Sequence, residues 1–197
     1  MSIRGKWLAI GAVAIAGAAA APFALDSEAA ADPAPRAEAV RLVVDLSDRQ
    51  LYVVQGEDVE RTYSVAIGKP QHPTPQGEFR IRRIIWNPRW VPPDASWARG
   101  KRARGPGDPR NPMGRVKMFF KEPDYYIHGT HQEDSLGQAE SHGCIRMRNA
   151  DVIDLAKVVM QHGGENREPG WFRRVVNRVT HTQDVRLSEP VRFEVRD

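Results

Sequence analysis

Arg41-Leu-Val-Val-Asp-Leu-Ser47 and Gln50-Leu-Tyr-Val-Val-Gln55 are two runs rich in β-branched residues, separated by Asp48-Arg49. Branching at Cβ restricts the side chain and suits a pleated surface, so such runs, bounded by polar turn residues, read as strands. The second leads through Gly56-Glu57-Asp58 into a further extended stretch from Val59 to Ile67, which makes a hairpin series. Downstream, Gly77 to Ile85 sets Phe79, Ile81 and Ile84 among Arg80, Arg82 and Arg83, and Arg115 to Phe120 and Tyr125 to His128 have the same extended character. Val191 to Val195 makes a last strand. Helical signals come late. Asn149 is placed to cap a helix carrying Val152, Ile153, Ala156, Val159 and Met160 on one face, with Asp151 and Asp154 in its positive first turn and Gly163-Gly164 past its end. A second helix carries Trp171, Phe172, Val175, Val176 and Val179. The expected fold is mostly β, an antiparallel sandwich or barrel with one or two late helices packed on it.

The chain has 197 residues, 41% hydrophobic and 27% charged, a balance that excludes both a disordered tail and a polytopic membrane protein. Its single cysteine, Cys144, rules out an intramolecular disulfide and any zinc site built on paired cysteines. At the N-terminus Arg4 and Lys6 precede an uncharged run from Trp7 to Leu25, followed by Asp26, Glu28 and the triplet Ala29 to Ala31. That order is the signature of a secretory leader. Residues 1–31 are therefore expected to be a signal peptide or, if uncleaved, an N-terminal anchor. Cleavage after Ala31 is favoured, because an Ala/Gly run containing Pro22 inserts weakly into a bilayer. Residues 32–39 read as an Ala/Pro linker and 40–197 as one exported domain, a monomer that meets the membrane only through an uncleaved leader.

One long irregular stretch, Trp86 to Gly114, interrupts the strands. It holds six basic residues against two acidic ones, an excess equal to the net charge of +4 of the whole chain. Trp86, Trp90 and Trp97 are interleaved with Arg89, Arg99, Lys101, Arg102, Arg104 and Arg110. Phosphates favour arginine and bases stack on indoles, but an exported chain is a poor partner for nucleic acid. A solvated loop and a lid over an anionic ligand are the remaining readings, with Trp90 and Arg99 as candidate contacts.

The chemistry is concentrated at His128 and in Ser141-His142-Gly143-Cys144-Ile145-Arg146. A thiol becomes a nucleophile when a base or cation raises its thiolate fraction, and both residue types stand close by. Gly143 permits a backbone turn that aims its own amide and that of Cys144 at one point, as an oxyanion site requires. Arg146 suits either the thiolate or a substrate carboxylate. A zinc site from His128, His131, His142 and Cys144 is a competing reading, weakened because His128 and His131 fall on opposite faces of a strand. His72, His162 and His181 read as surface or packing residues.

Tyr126-Ile-His-Gly-Thr130, Leu136-Gly137, and Ser141-His-Gly-Cys-Ile-Arg-Met147 followed by Asn149 resemble the L,D-transpeptidase catalytic domain, the YkuD-type domain. Pro73-Thr-Pro-Gln-Gly-Glu-Phe79, Trp86-Asn-Pro-Arg-Trp-Val-Pro-Pro93 and Asn111-Pro-Met-Gly114 are similar to further segments of that family in the same order, so the resemblance spans about Arg41 to Gln161. It implies a mostly β fold with the cysteine in a cleft, peptidoglycan stem peptides as donor and amine acceptor, a periplasmic or cell-envelope setting, and no cofactor or metal. Cys144 matches the family nucleophile and His128 its base, with the Gly129 carbonyl orienting the imidazole. His142, Gly143 and Cys144 line the oxyanion site, and Arg146 and Ser141 fall at substrate contacts. A hydrolytic or zinc-dependent amidase or carboxypeptidase, and a non-catalytic wall-binding module, remain as alternatives. The segment from Glu165 to Thr180 matches no motif of the resemblance.

Overall fold

The computed structural model describes residues 39–197; the leader and most of the linker read from the sequence lie outside the described residues. The strands are β1 (Arg41–Asp45), β2 (Gln50–Gln55), β3 (Asp58–Ser64), β4 (Ile67–Gly68), β5 (Gly77–Trp86), β6 (Val116–Lys121), β7 (Tyr125–Thr130), β8 (Ala139–Ser141), β9 (Ile145–Arg148) and β10 (Gln183–Arg196). The helices are α1 (Asn149–His162) and α2 (Pro169–Asn177). Among the described residues no helix is long and apolar enough to cross a membrane.

Eight strands form one sheet in the order β3-β2-β1-β10-β5-β6-β7-β9, and β4 pairs with β8 beside it. The sheet is mixed rather than antiparallel, because β1 runs parallel to β10 and β7 parallel to β9. Both parallel pairs join strands separated by long connections, which alone can return a chain in the same direction. Just beyond β3, the Ala66 N–H donates to the Arg146 carbonyl at 3.0 Å and the Arg146 N–H donates to the Ala66 carbonyl at 2.9 Å. These two bonds link the outer edges of the sheet, so it is nearly closed and barrel-like.

Alternate residues point inward. Leu42, Val44, Leu51, Ile81, Ile84, Met118, Ile127 and Ile145 are each fully buried, and the apolar face of α1 joins the same core. Each such side chain contributes roughly 1.5–3 kcal/mol of transfer free energy, which sets the register of every strand that carries one. β10 begins eight residues earlier than the apolar pattern suggests, at Gln183. Pro190 masks this reach, since it cannot donate to a ladder, and the pairing with β5 shifts register between Arg186 and Val191 to accommodate it.

The helices depart from expectation at their polar residues. α1 buries Val152, Leu155, Ala156, Val159 and Met160, and Ile153 packs partly buried against the same core. α2 ends at Asn177, so Val179 lies beyond it. Asp154 sits past the first turn and instead accepts hydrogen bonds from the Tyr63 hydroxyl at 2.7 Å and from Arg61, anchoring α1 to β3. Burial and this carboxylate push the Tyr63 pKa up to about 12. Asn149 does not cap α1; it is the first helical residue, and no side chain caps the helix. Its Oδ1 accepts the Arg115 N–H at 2.9 Å and its Nδ2 donates to the Thr130 carbonyl at 3.0 Å. Gly114 and Gly129 converge on this amide, and a Cβ on either would lie 2.2 or 2.3 Å from Asn149 Oδ1.

Asn149→Ala leaves the Arg115 amide and the Thr130 carbonyl without this partner. The expected cost is about 1–3 kcal/mol, measured as a lower urea midpoint in equilibrium unfolding.

Candidate active site

The sheet register assembles the site. β6 and β7 pair with Lys117 opposite His128 and Phe119 opposite Tyr126, and β7 and β9 pair with His128 opposite Arg146. Directly paired residues share a face of the sheet, so Lys117, His128 and Arg146 form one row across three strands. Phe119 and Tyr126 begin the next row, and Cys144, two residues before Arg146, falls at its end. The intervening residues Met118, Ile127 and Ile145 point into the core at 0% exposure.

His128 is buried, and its Nδ1 lies 2.7 Å from the Gly129 carbonyl oxygen. A carbonyl only accepts, so Nδ1 carries the proton and Nε2 keeps its lone pair. Burial depresses the His128 pKa to about 3; the positive charges of Arg146 and Lys117 add to this, while the Gly129 and Pro112 carbonyls oppose it. The imidazole is therefore neutral at neutral pH. The Cys144 thiol donates to the Asp124 carbonyl at 3.3 Å. Burial holds its pKa above the ordinary thiol value, and Tyr126, then Lys117 and Arg146, offset only part of that rise. Arg146 is half-buried and reaches Gln132 Oε1 at 3.4 Å.

The turn before Cys144 differs in part from expectation. Gly143 has φ 100°, and a Cβ there would come within 2.8 Å of the Tyr125 ring, so the turn requires glycine. Its N–H, expected to face an oxyanion, instead donates to Ser141 Oγ at 3.0 Å. Ser141 Oγ in turn donates to the Cys144 carbonyl at 2.5 Å. Ser141 is thus a brace across the turn, and its hydroxyl is committed to the main chain rather than open to a ligand. The His142 ring stacks on Trp97 at 4.2 Å between centroids and lies 5.0 Å from the ring of His72. His72, read as a surface or packing residue, is exposed and packs its ring near that of His142. Burial, followed by Lys69 and His72, lowers the His142 pKa.

Residues 87–114 form one wall of a cavity of about 1140 Å³ whose floor carries Lys117, Tyr126, His128, Cys144 and Arg146. A single 3-10 turn at Ser96–Ala98 brings Trp97 onto His142. Buried Trp90 lines the cavity and is held to Arg104 by two main-chain hydrogen bonds of 2.9 Å. Arg99 is exposed and does not line the cavity. Lys101 and Arg102 line it, whereas Arg104 and Arg110 are paired with Asp108 at 3.6 and 3.5 Å. Asn111 Nδ2 ties the loop internally by donating to the Pro88 and Gly105 carbonyls. Its base is held by Asn87, whose Nδ2 donates to the carbonyls of Val175, Arg178 and His181. Among the described residues no group of three or more His, Cys, Asp or Glu side chains is arranged to hold a metal ion, so the four residues of the zinc reading do not converge.

The family model of the L,D-transpeptidase catalytic domain, YkuD, matches residues 39–180. The chain belongs to this family. The match takes in the Glu165 to Thr180 segment that the motifs leave out. The putative L,D-transpeptidase YqjB of Bacillus subtilis (strain 168) is 37% identical over 123 residues, covering 60% of this chain and 65% of that protein. The putative L,D-transpeptidase YkuD of the same organism is 34% identical over 127 residues, covering 64% of this chain and 65% of that protein. The chain thus spans less than two thirds of the length of these relatives. The catalytic domain of an E. faecium L,D-transpeptidase aligns over 81% of this chain and 98% of its own at 17% identity, with a TM-score of 0.47. Lys117 and Tyr126 line the cavity although neither is a candidate site residue in the sequence, where Tyr126 only opens the motif that carries His128. The period of a strand places Tyr126 on the face of His128, but Lys117 joins them only through pairing between strands.

The buried neutral His128 makes stability depend on pH. Below pH 6.5 the unfolded chain binds a proton here that the folded chain refuses until pH falls to about 3. Stability therefore falls as the pH is lowered through that window and is flat with respect to this group above it. His128→Gln should flatten the acid limb, measured as urea midpoints between pH 7 and pH 4.

Proposed function

We propose that the protein is a cysteine-dependent L,D-transpeptidase, an acyltransferase that acts on peptidoglycan stem tetrapeptides through a thioester. The observation that carries this reading is the meeting, on one cavity floor, of the only cysteine of the chain with a buried imidazole whose Nδ1 is committed to the Gly129 carbonyl. Nε2 of His128 accepts the Sγ proton as the sulfur attacks the carbonyl of the third stem residue. Negative charge develops on that carbonyl oxygen, and the Cys144 main-chain amide receives it. The Gly143 amide joins only after releasing Ser141 Oγ. The carbon–nitrogen bond then breaks, the imidazolium returns its proton to the departing D-alanine amine, and the acyl group remains on sulfur. An acceptor amine attacks the thioester, giving its proton to His128, and the sulfur leaves and is reprotonated. With a second stem as acceptor the product is a 3-3 cross-link. The Arg146 guanidinium near the sulfur, without an ion-pairing carboxylate among the described residues, suits a carboxylate of the donor stem. The N-terminal leader would deliver the domain to the cell envelope.

Cys144→Ala should abolish stem cleavage and exchange while the protein stays folded. Muropeptide chromatography reads turnover and intact-protein mass spectrometry reads the acyl adduct; retained turnover would reject the cysteine mechanism.

The cationic wall of the cavity also has a part. Lys101 and Arg102 are the basic loop residues that line the cavity without a carboxylate partner among the described residues, so they attract anionic stems on encounter. Lys101→Gln with Arg102→Gln should raise KM severalfold at low salt, flatten its salt dependence and leave kcat nearly unchanged. A solvated, passive loop gives wild-type KM at every ionic strength.

A further inference from the structure

Two groups on the cavity floor have no part in the chemistry above. Lys117 stands opposite His128 on β6, half-buried, with Nζ 3.8 Å from the centroid of the Tyr126 ring and 4.4 Å from that of Phe119. No carboxylate lies within ion-pairing distance of it among the described residues; Glu122 and Asp124 act on it only from farther away, and Arg83 opposes it from β5. A lysine ammonium is strongly hydrated and is rarely withdrawn from water without a partner. Two aromatic faces compensate part of that cost. Beyond them stands Cys144, next to Tyr126 in the same row.

We propose that Tyr126, beside Cys144 in the same row, is a catalytic residue whose hydroxyl donates to the sulfur as it becomes the thiolate, and that Lys117 is a positioning residue whose ammonium, laid across the Tyr126 ring, strengthens that donor and stabilises the developing charge. The proposal rests on the reading of Cys144 as the nucleophile. When the thiol proton passes to His128 Nε2, the sulfur gains the negative charge, and Tyr126 and Lys117 both keep their protons. A cation over the face of a phenol draws electron density toward itself, which strengthens the O–H as a donor. The other charged group acting on the sulfur is Arg146 from β9; Asp124, in the turn before β7, meets it through its main-chain carbonyl, and Tyr125, His128 and His142 line the same cavity. Arg146 persists in every variant below, so those variants isolate the share of Lys117 and Tyr126.

Alkylation tests this without any substrate, because Cys144 is the only sulfhydryl in the chain. The rate of iodoacetamide addition, followed by intact-protein mass spectrometry from pH 5 to pH 10, reports the thiolate fraction. Lys117→Met should move the midpoint up by about one unit, which lowers the rate below the midpoint about tenfold. Lys117→Arg should restore it to within about twofold. Tyr126→Phe keeps the ring under the ammonium, loses the O–H, and should slow alkylation about threefold. If Lys117→Met changes only the melting temperature, and the alkylation profiles of it and Tyr126→Phe overlay that of the wild type, the proposal is overturned. Should Lys117→Met fail to fold by circular dichroism, Tyr126→Phe decides by itself, and a wild-type profile there overturns the proposal equally. Shifted profiles in a protein that never turns over stem peptides would uphold the inference about the thiol while rejecting the transpeptidase reading.

Discussion

The two hydrogen bonds between Ala66 and Arg146 are the contact on which the site depends. They join the chain just past β3, at one edge of the sheet, to β9 at the other. β9 has only four residues and on its outer side would otherwise be an unpaired edge. A short edge strand frays, and fraying here would carry Cys144 and Arg146 with it. Closure pairs β9 on both sides and converts its position from a local preference into a property of the whole barrel-like sheet. The small β4–β8 pair sits where the chain enters and leaves this seam, with Ile67 opposite Ala139.

With β9 fixed, burial sets the charge states of the cavity floor. Desolvation keeps His128 neutral and opposes ionisation of Cys144, while Lys117 and Arg146 press the two groups in opposite chemical directions. The same positive charges disfavour an imidazolium and favour a thiolate. An imidazole that is neutral at neutral pH and a sulfur flanked by cations follow from one arrangement of rows on the sheet. Asn149 reinforces it from below, because its amide binds the ends of the loop and of β7 to the start of α1 and leaves room only for glycine at 114 and 129.

The α2 region holds the loop. Trp171 and Phe172 pack on Trp86 with centroids 6.0 and 5.9 Å away, and Asn87, at φ 48°, ties the carbonyls around the end of α2 to the first residues of the loop. Arg115 closes the other end of the loop, donating to Asn87 Oδ1 at 3.1 Å and to the Val176 carbonyl. Both ends of a long irregular segment are thus clamped by one short helix. Trp97 therefore reaches His142 from an anchored loop.

The sequence by itself determined the elements whose signals are local. The β-branched runs from Arg41 to Gln55, the apolar face of α1 and the Ser141 to Arg146 turn were legible because periodicity, turn residues and a lone cysteine among polar neighbours need no information about distant residues. The pairing of His128 with the Gly129 carbonyl was implied only by the resemblance to the family. Only the tertiary structure decided the rest. β10 was half hidden because Pro190 breaks the pattern and only a bulge in its pairing with β5 restores it. The parallel pairs, the closing bridge, the row that brings Lys117 to Tyr126 and Cys144, and the position of Arg99 outside the cavity lining all depend on strand register and loop path. Asn149 and Ser141 show the same limit on a smaller scale: their residue types suit a helix cap and a ligand contact, but nearby main-chain groups buried by the fold claimed both side chains first. A buried amide or carbonyl left unpaired costs more than an open polar side chain gains from water, so the partner is chosen by what the fold buries, which no local stretch of sequence specifies.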